Sequence, residues 1–211
     1  ARHLDPGPGT RLLDLGAGTG MWARAFTGWY GGIDVIAVEP SEAMRARCMH
    51  PRVLAGDAGN IPLADGSADA AWLSTVIHHV PDLTAAAREL RRVLRPGGPV
   101  LIRSVFPGRH QAIALFRFFP EAIRVVATFP GVGDVEAAFA TAGFARTALE
   151  QVPQTTAPSL RDIAAAFRRE AHTPLQLITD GEYATGLARL HRAADAEHGP
   201  VVDALDLLVL R

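Results

Sequence analysis

The chain alternates short apolar runs with longer segments in which apolar residues recur every three or four positions. The short runs are typical of buried strands, and the periodic segments are typical of amphipathic helices. Strands are predicted at Arg11–Leu15, Ile33–Glu39, Arg52–Gly56, Ala70–Val76, Pro99–Ser104, Arg146–Val152 and Leu205–Leu210. Helices are predicted at Met21–Phe26, Ser41–Met49, Asp82–Leu94, Asp134–Ala142, Ser159–Glu170 and Asp180–Ala196. The regular alternation over the first half of the chain predicts an α/β fold with a parallel sheet.

A glycine-rich turn follows the first predicted strand. Glycine occupies every second position of Gly16–Gly20, and a predicted helix starts directly afterwards at Met21. Glycine lets the backbone bend sharply and approach a ligand without a Cβ, and the first turn of a helix offers unpaired N–H groups. The turn therefore indicates a site for a nucleotide-like ligand. The alternative is a loop that merely connects the strand to the helix.

Acidic residues end the second and third predicted strands. Glu39 lies 19 residues beyond Gly20, the distance at which a second parallel strand delivers a carboxylate beside such a turn. There it can accept hydrogen bonds from both hydroxyls of a ribose. Asp57 leaves the third strand at the same edge and can accept from an adenine amino group, while Ala58 offers its backbone N–H. The alternatives are a solvated carboxylate at Glu39 and an Asp-turn before Gly59.

Two histidines follow the fourth predicted strand. Ligands of open parallel sheets bind outside the carboxyl ends of the strands, so we expect residues 73–79 to line the site. A histidine with an unperturbed pKa near 6.5 can act as a base close to neutral pH. His79 and His78 are therefore the candidates for a general base. The alternative is that one or both hold the loop through hydrogen bonds.

The segment from Arg109 to Pro130 interrupts the alternation and is rich in phenylalanine. Because it follows the fifth strand at the ligand edge, it is predicted to line an apolar substrate pocket. The candidate substrate residues are Phe106, Phe116, Phe119 and His110, the last also a weaker candidate for a base. The competing interpretation is an amphipathic helix that covers the core.

Composition narrows the expected partners and compartment. The 211 residues carry a formal net charge of −1, which favours neither nucleic acid nor an anionic membrane as a partner. All 21 basic residues are arginine, which excludes lysine-based phosphate binding and Schiff-base chemistry. Cys48 is the single cysteine, so a reducing cytoplasm is the expected compartment. The length favours one domain over residues 1–211, with neither a membrane-length apolar run nor a signal peptide.

Five motifs occur in order along the chain. They are Leu13–Gly20, Val38–Pro40, Gly56–Ala58, Ile77–Asp82 and Val93–Gly98. Together they resemble class I S-adenosylmethionine-dependent methyltransferases, and more narrowly the small-molecule branch related to the ubiquinone and menaquinone C-methyltransferases (methyltransferase type 11). The resemblance covers about Pro8 to Gly143. It implies a Rossmann-like, doubly wound seven-stranded sheet of order 3-2-1-4-5-7-6 with strand 7 antiparallel, and substrate-side helical insertions after strands 5 and 6, here 109–130 and 159–196.

The resemblance also implies which residues hold S-adenosylmethionine, the cofactor of these enzymes. Along its methionine part would lie Asp14, Gly16, Ala17, Gly18, Gly20, Leu73 and Ser74, the last two through their backbone. Along its ribose and adenine would lie Glu39, Pro40, Met44, Asp57 and Ala58. Such enzymes commonly carry an N-terminal helix that closes over the ligands, and we expect this helix to be missing from a sequence that begins at Ala1.

The expected reaction is an in-line displacement of the methyl group from the sulfonium by an oxygen, nitrogen or carbon atom of a small-molecule acceptor. The protein would mainly supply alignment and a dry cavity, and a base would be needed for a hydroxyl acceptor. We expect a monomer or homodimer and no metal ion. One alternative is a nicotinamide-dependent oxidoreductase, although the third glycine of a dinucleotide turn would fall at Met21. The other is a methyltransferase-like binding protein without catalysis, which the intact Glu39, Asp57 and glycine turn disfavour.

Overall fold

The computed structural model describes His3, Leu4 and residues 6–211. Its strands are β1 (Arg11–Leu15), β2 (Asp34–Glu39), β3 (Val53–Ala55), β4 (Ala70–Ser74), β5 (Val100–Ser104), β6 (Arg146–Ala157) and β7 (Val201–Leu210). Its α-helices are α1 (Met21–Trp29), α2 (Glu42–Arg45), α3 (Leu83–Val93), α4 (Ala114–Phe118), α5 (Ile123–Val126), α6 (Val132–Ala140), α7 (Leu160–Ala166), α8 (Thr173–Gln176) and α9 (Asp180–Ala196). Across the described residues, no helix has the length and apolar content that a membrane crossing requires.

The strands form one sheet in the order β3-β2-β1-β4-β5-β7-β6, which confirms the predicted topology. Parallel pairing links β1 with β2 and β4, β2 with β3, and β4 with β5. β7 is antiparallel, and Ala145 and Arg211 exchange both backbone hydrogen bonds where β6 begins and β7 ends. β1 lies inside the sheet and is buried from Leu12 to Leu15, and this buried segment includes the carboxyl group of Asp14. The carboxyl ends of β1 to β4 consequently meet at one edge.

The chain forms two compact units. Unit 1 consists of Ala1–Ser104, Val132–Glu150 and Leu207–Arg211, and unit 2 of Val105–Gly131 and Gln151–Asp206. The two predicted insertions, 109–130 and 159–196, fall in unit 2. Every motif of the methyltransferase resemblance falls in unit 1.

Helix α1 is fixed to the sheet of unit 1 by aromatic side chains. It buries Ala23 and Phe26, and the Phe26 ring meets the Trp72 ring of β4 edge-on at a centroid distance of 5.4 Å. Trp22 lies 5.0 Å from the same Trp72 ring. Buried aromatic pairs contribute a large buried apolar area and prefer particular ring orientations. The helix that follows the glycine turn is therefore held in a fixed position on the sheet.

Helix α2 is shorter than predicted. Ser41 caps it, since its Oγ accepts from Met44 N at 3.3 Å, but the helix ends at Arg45 instead of Met49. The next residues form tight turns, and Met49 N donates to Thr19 O at 2.9 Å. This bond to the glycine turn draws the chain away from the helical path, and local sequence patterns do not reveal it.

The core of unit 2 is built from the phenylalanine-rich segment. Phe119 is fully buried and stacks on Phe167 at a centroid distance of 5.3 Å and an interplanar angle of 3°. Gly186 of α9 allows this arrangement, because a Cβ there would lie 2.1 Å from the Phe119 ring. In the same unit, Arg109 binds the buried Asp206 carboxylate through two hydrogen bonds of 2.8 Å. Unit 2 therefore has its own apolar core and an ion pair whose carboxylate is buried.

Helix α3 has an N-terminal cap that can be tested. Asp82 Oδ1 accepts from Thr84 N and Ala85 N, each at 2.9 Å. We expect Asp82→Ala to lower the free energy of unfolding by about 1 kcal/mol, because it leaves two helix N–H groups without their acceptor. Asp82→Asn keeps an acceptor and should lose less than half as much in urea unfolding. Equal losses for both variants would contradict a capping role.

Candidate functional site

The glycine turn joins β1 to α1 at the carboxyl edge of the sheet. Gly16, Gly18 and Gly20 have φ angles of 73°, 57° and 77°, the left-handed region that favours glycine. A Cβ on Gly16 would lie 2.2 Å from Val76 Cγ2, and one on Gly20 would lie 2.5 Å from Cys48 Sγ. A Cβ on Gly18 would meet no atom of the described residues within 4 Å. Gly16 and Gly20 therefore let Val76 and Cys48 pack directly against the backbone of the turn. Gly18 instead leaves open space in which a ligand can approach the backbone.

Glu39 holds the glycine turn from the end of β2. Its side chain is buried, Oε2 accepts from Gly18 N at 2.8 Å, and Oε1 accepts from Ser41 N at 2.9 Å. Gly16 N and Ala17 N both donate to a β2 carbonyl oxygen, at 2.8 and 3.1 Å. Since each carboxylate oxygen has a second lone pair, Glu39 can still accept hydrogen bonds from a ligand hydroxyl. The burial of Glu39 differs from the solvated carboxylate of the alternative interpretation.

Asp57 forms the Asp-turn that was the alternative at this position. Its Oδ1 accepts from Gly59 N at 2.8 Å and from Asn60 N at 3.0 Å. The side chain is exposed, and both of these hydrogen bonds are accepted by Oδ1, not by Oδ2. The turn thus fixes the carboxylate while one oxygen remains available to a ligand.

A pocket of about 300 Å³ lies at this edge of the sheet. Its lining residues are Leu15, Gly16, Pro40, Asp57, Ala58, Gly59, Val76, His79, Val80, Pro81 and Asp82. They come from the ends of β1 and β2 and from the segments after β3 and β4, where ligands of open parallel sheets bind. The volume is at the lower end of the range for small-molecule sites.

The pocket brings together some of the predicted site residues. Gly16, Pro40, Asp57, Ala58 and His79 line it. The other predicted residues of unit 1 lie outside this lining, namely Asp14, Ala17, Gly18, Gly20, Glu39, Met44, Leu73, Ser74 and His78. The lining residues that sequence reasoning did not single out are Leu15, Gly59, Val80, Pro81 and Asp82. Their signal is adjacency, because each lies within three positions of a predicted site residue.

Three of the predicted cofactor residues differ in accessibility. Leu73 is fully buried, so its backbone is the part that could reach a ligand. Ser74 is half-buried, and its Oγ accepts from Arg103 Nη1 at 3.3 Å. Met44 on α2 is exposed, which leaves its side chain accessible to a ligand.

A left-handed residue directs the chain from β4 toward the pocket. Thr75 has a φ of 55°, and among the described residues it is the one non-glycine with a positive φ. Its N–H donates to Arg103 O at 2.7 Å and so extends the hydrogen bonding between β4 and β5. The next residue, Val76, packs against Gly16. Val76 O then accepts from His79 N at 2.8 Å within the 3₁₀ turn Ile77–His79. Left-handed non-glycine residues cluster at functional sites, and this one directly precedes the segment that lines the pocket.

The two histidines differ in electrostatic environment. Their ring centroids are 4.1 Å apart. Burial, and to a smaller extent the charge of His79, lowers the pKa of His78 to about 4. His78 therefore remains neutral at physiological pH and is a weak base. His79 is exposed and lines the pocket, so it is the better placed of the two candidates.

Asp14 is a buried carboxyl group under the glycine turn. Burial raises its pKa to about 7, opposed by the Ala23 N–H and aided by the charge of Glu39. Asp14 Oδ2 is buried and accepts no hydrogen bond from the described residues. Trp72 pairs in register with Asp14 on β4, and its Nε1 is a second buried polar atom that no described residue satisfies. Buried polar atoms ordinarily have partners, so these two atoms are exceptions within the described residues.

The predicted substrate residues lie in unit 2. Phe106, Phe116 and Phe119 are buried, and the last two belong to the core of that unit. This corresponds to the competing interpretation, in which the segment covers a core. His110 is half-buried, with its ring centroid 5.5 Å from that of Phe116.

The strand order is that of the Rossmann-like methyltransferase fold. Within the chain, residues 13–102 match the family described as a methyltransferase domain. Solved structures of similar fold include phosphoethanolamine N-methyltransferase 2 of Haemonchus contortus. That protein was solved in complex with S-adenosylhomocysteine and in complex with S-adenosylmethionine. The predicted fold is therefore confirmed, and the sequence match to a methyltransferase domain lies within unit 1.

Characterised relatives align with part of the chain. A malonyl-[acyl-carrier protein] O-methyltransferase of Erwinia pyrifoliae is 36% identical over 110 residues, which are 50% of this chain and 41% of that protein. A demethylmenaquinone methyltransferase of Corynebacterium efficiens is 33% identical over 136 residues, 61% of this chain and 58% of that protein. The chain thus spans less than two thirds of the length of either relative, and their substrates do not transfer directly.

Solved structures extend the likeness of fold to the whole chain. A protein of Anabaena variabilis assigned as a methyltransferase of an antibiotic biosynthesis pathway has a TM-score of 0.73 at 23% identity, covering 100% of this chain and 94% of its own. The [4+2]-cyclase SpnF shares the fold with a TM-score of 0.66 at 20% identity, covering 100% of this chain and 78% of its own. Because a cyclase shares this fold, the reaction has to be argued from the site.

Proposed function

We propose that this chain transfers a methyl group from S-adenosylmethionine to a small-molecule acceptor. One observation carries the proposal: Glu39 is buried and accepts from Gly18 N in the glycine turn, at the sheet edge where Asp57 and Ala58 line a pocket. An adenosine has two ribose hydroxyls and an adenine amino group as donors. Carboxylates at the ends of neighbouring strands match these donors, and the open space at Gly18 admits a ligand next to the backbone.

Different residues of the site would contact different parts of S-adenosylmethionine. Glu39 would accept from the ribose hydroxyls, and Asp57 with Ala58 would contact the adenine edge, with Pro40 and Met44 packing beside it. Asp14, the glycine turn and the backbone of Leu73 and Ser74 would hold the methionine part. When bound, the cofactor supplies a methyl group attached to a sulfonium sulfur. The neutral thioether that remains after the transfer is the leaving group. The apolar lining residues Leu15, Val76, Val80 and Pro81 would exclude water from a bound ligand.

A proton must leave the acceptor if the acceptor is a hydroxyl. His79 lines the pocket and is exposed, so it can take that proton. His78, with its lowered pKa, would hold the loop or assist. Acceptors with an acidic hydroxyl or carbon suit this arrangement, and we propose an acceptor of that class, bound without nucleic acid or membrane. The near-neutral net charge of −1 supports this choice, and we propose a cytoplasmic monomer or homodimer.

Removal of the Glu39 charge tests the cofactor site. We expect Glu39→Gln to weaken binding of S-adenosylhomocysteine about thirtyfold, or about 2 kcal/mol, because an amide accepts more weakly from ribose hydroxyls than a carboxylate does. Isothermal titration calorimetry on the folded chain measures the effect. The matched control is Glu42→Gln, an exposed acid three residues further along, which should leave the affinity within twofold.

Other outcomes of the same experiment distinguish the alternatives. Binding of nicotinamide dinucleotides, with no heat from S-adenosylhomocysteine, would identify an oxidoreductase site. If the cofactor binds, mass spectrometry with a panel of malonyl thioesters, quinols, phenols and amines should detect an acceptor 14 mass units heavier, the mass of one CH₂. Tight binding without any methylated product across the panel would favour a binding protein or a different reaction.

A further inference from the structure

Asp14 and Glu39 are two buried carboxyl groups on neighbouring strands at the base of the glycine turn. Asp14 is 1% exposed and Glu39 7% exposed. Three groups on neighbouring elements lie near Asp14. They are the carboxylate of Glu39 on β2, the backbone N–H of Ala23 on α1, and the uncharged Trp72 on β4. Glu39 is therefore the charged side chain that acts on Asp14, and its negative charge opposes a second one.

The two carboxyl groups are not equivalent. Glu39 accepts from two backbone N–H groups, those of Gly18 and Ser41, and such bonds stabilise a carboxylate. Asp14 has the Ala23 N–H nearby, while its Oδ2 has no donor among the described residues. A buried oxygen without a donor gains more from carrying a proton than from carrying a charge. Asp14 is consequently the group of the pair that keeps a proton, in line with a pKa raised to about 7 by burial.

Resting on the proposed function, we infer that Asp14 is protonated in the free protein and releases its proton when the α-ammonium group of the cofactor binds beside it. The ligand cation replaces the proton as the partner of the carboxylate. One proton passes from Asp14 to the solvent, one ion pair forms, and the total charge is conserved. Cofactor binding is thereby coupled to pH through a side chain that takes no part in methyl transfer.

The sign of the pH dependence follows from this linkage. Below pH 7 the free protein holds the proton that must leave on binding, so affinity should fall roughly tenfold per pH unit as the pH decreases from 6.5 to 5.5. Above pH 7 Asp14 is already ionised in the free protein, and the affinity should level off. The opposite slope would arise if a carboxylate had to gain a proton on binding.

Calorimetry of the full chain with S-adenosylhomocysteine tests the inference. At pH 6.5, the heats observed in phosphate and in imidazole buffer should differ, because the proton that Asp14 releases is taken up by buffers with different ionisation heats. The Asp14→Asn variant should bind S-adenosylhomocysteine without releasing a proton from this site. Its affinity should stay constant between pH 5.5 and 7. The ligand control is 5′-methylthioadenosine, which has the adenosine but lacks the ammonium group, and it should bind the wild-type chain without releasing a proton.

The outcomes separate this inference from the proposed function. Absence of heat from S-adenosylhomocysteine in every buffer would overturn the cofactor site itself. Binding with equal heats in both buffers, or equal proton release for S-adenosylhomocysteine and 5′-methylthioadenosine, would overturn the role of Asp14 and leave it as an anchor for α1. The comparison of the two ligands uses the wild-type chain, so it remains decisive if Asp14→Asn does not fold.

Discussion

Gly16→Ala is expected to lower the free energy of unfolding of unit 1 by about 3 kcal/mol. Two effects add at this position. The φ of 73° places an alanine in the left-handed region, which costs about 1 to 2 kcal/mol. The new Cβ would also lie 2.2 Å from Val76 Cγ2, and overpacking of a filled site costs about 1 to 3 kcal/mol. The chain must shift either the turn or the segment that presents His79.

Gly18→Ala is the matched control. Its φ of 57° gives a similar backbone cost, but no described atom lies within 4 Å of the added Cβ. We expect a loss of about 1 kcal/mol, from the backbone term alone. Urea unfolding followed by tryptophan fluorescence reports on the correct unit, since Trp22, Trp29 and Trp72 all lie in unit 1. Equal losses at the two glycines would show that contact with Val76 is unimportant.

His79→Gln is expected to reduce turnover with a hydroxyl acceptor at least a hundredfold, or about 3 kcal/mol in the barrier, while the affinity for S-adenosylhomocysteine stays within twofold. General bases typically contribute a hundredfold or more, and a glutamine side chain takes up no proton at neutral pH. The measurement is single-turnover methyl transfer with saturating cofactor and acceptor, combined with a calorimetric titration of the product cofactor.

The control for His79 is His191→Gln, an exposed histidine on α9 that should leave the rate unchanged. A rate loss for His78→Gln without one for His79→Gln would assign the base to His78 in spite of its low pKa. An unchanged rate in both variants would indicate an acceptor, such as an acidic carbon or a neutral amine, that needs no protein base.

The sequence predicts most accurately those elements whose limits are set by local chemistry. β1 has the predicted bounds because an apolar run ends abruptly at a glycine. α9 also has its predicted bounds, since Thr179 and Glu182 form a capping box at its start. The predicted strand order is correct because the ordered motifs fix the class of fold, which in turn fixes the topology.

Elements limited by distant contacts are harder to predict. α2 ends early because Met49 bonds to Thr19 O, and β6 continues to Ala157 through polar residues and Pro153 because it pairs with β7. Proline is tolerated there since β6 is an edge strand. The same holds for the site. The left-handed Thr75, which precedes the histidine turn, has no signature in the sequence, so adjacency to His79 is the sequence signal that Val80 and Pro81 offer.

The hydrogen bonds of Glu39 to Gly18 N and Ser41 N have a consequence for how a ligand binds. They hold the turn in a fixed shape before a ligand arrives, so association would require little further ordering of the backbone there. Tight-binding inhibitors of this chain should therefore come from rigid adenosine mimics that fit a template already formed, and flexible linkers added to such mimics should weaken them.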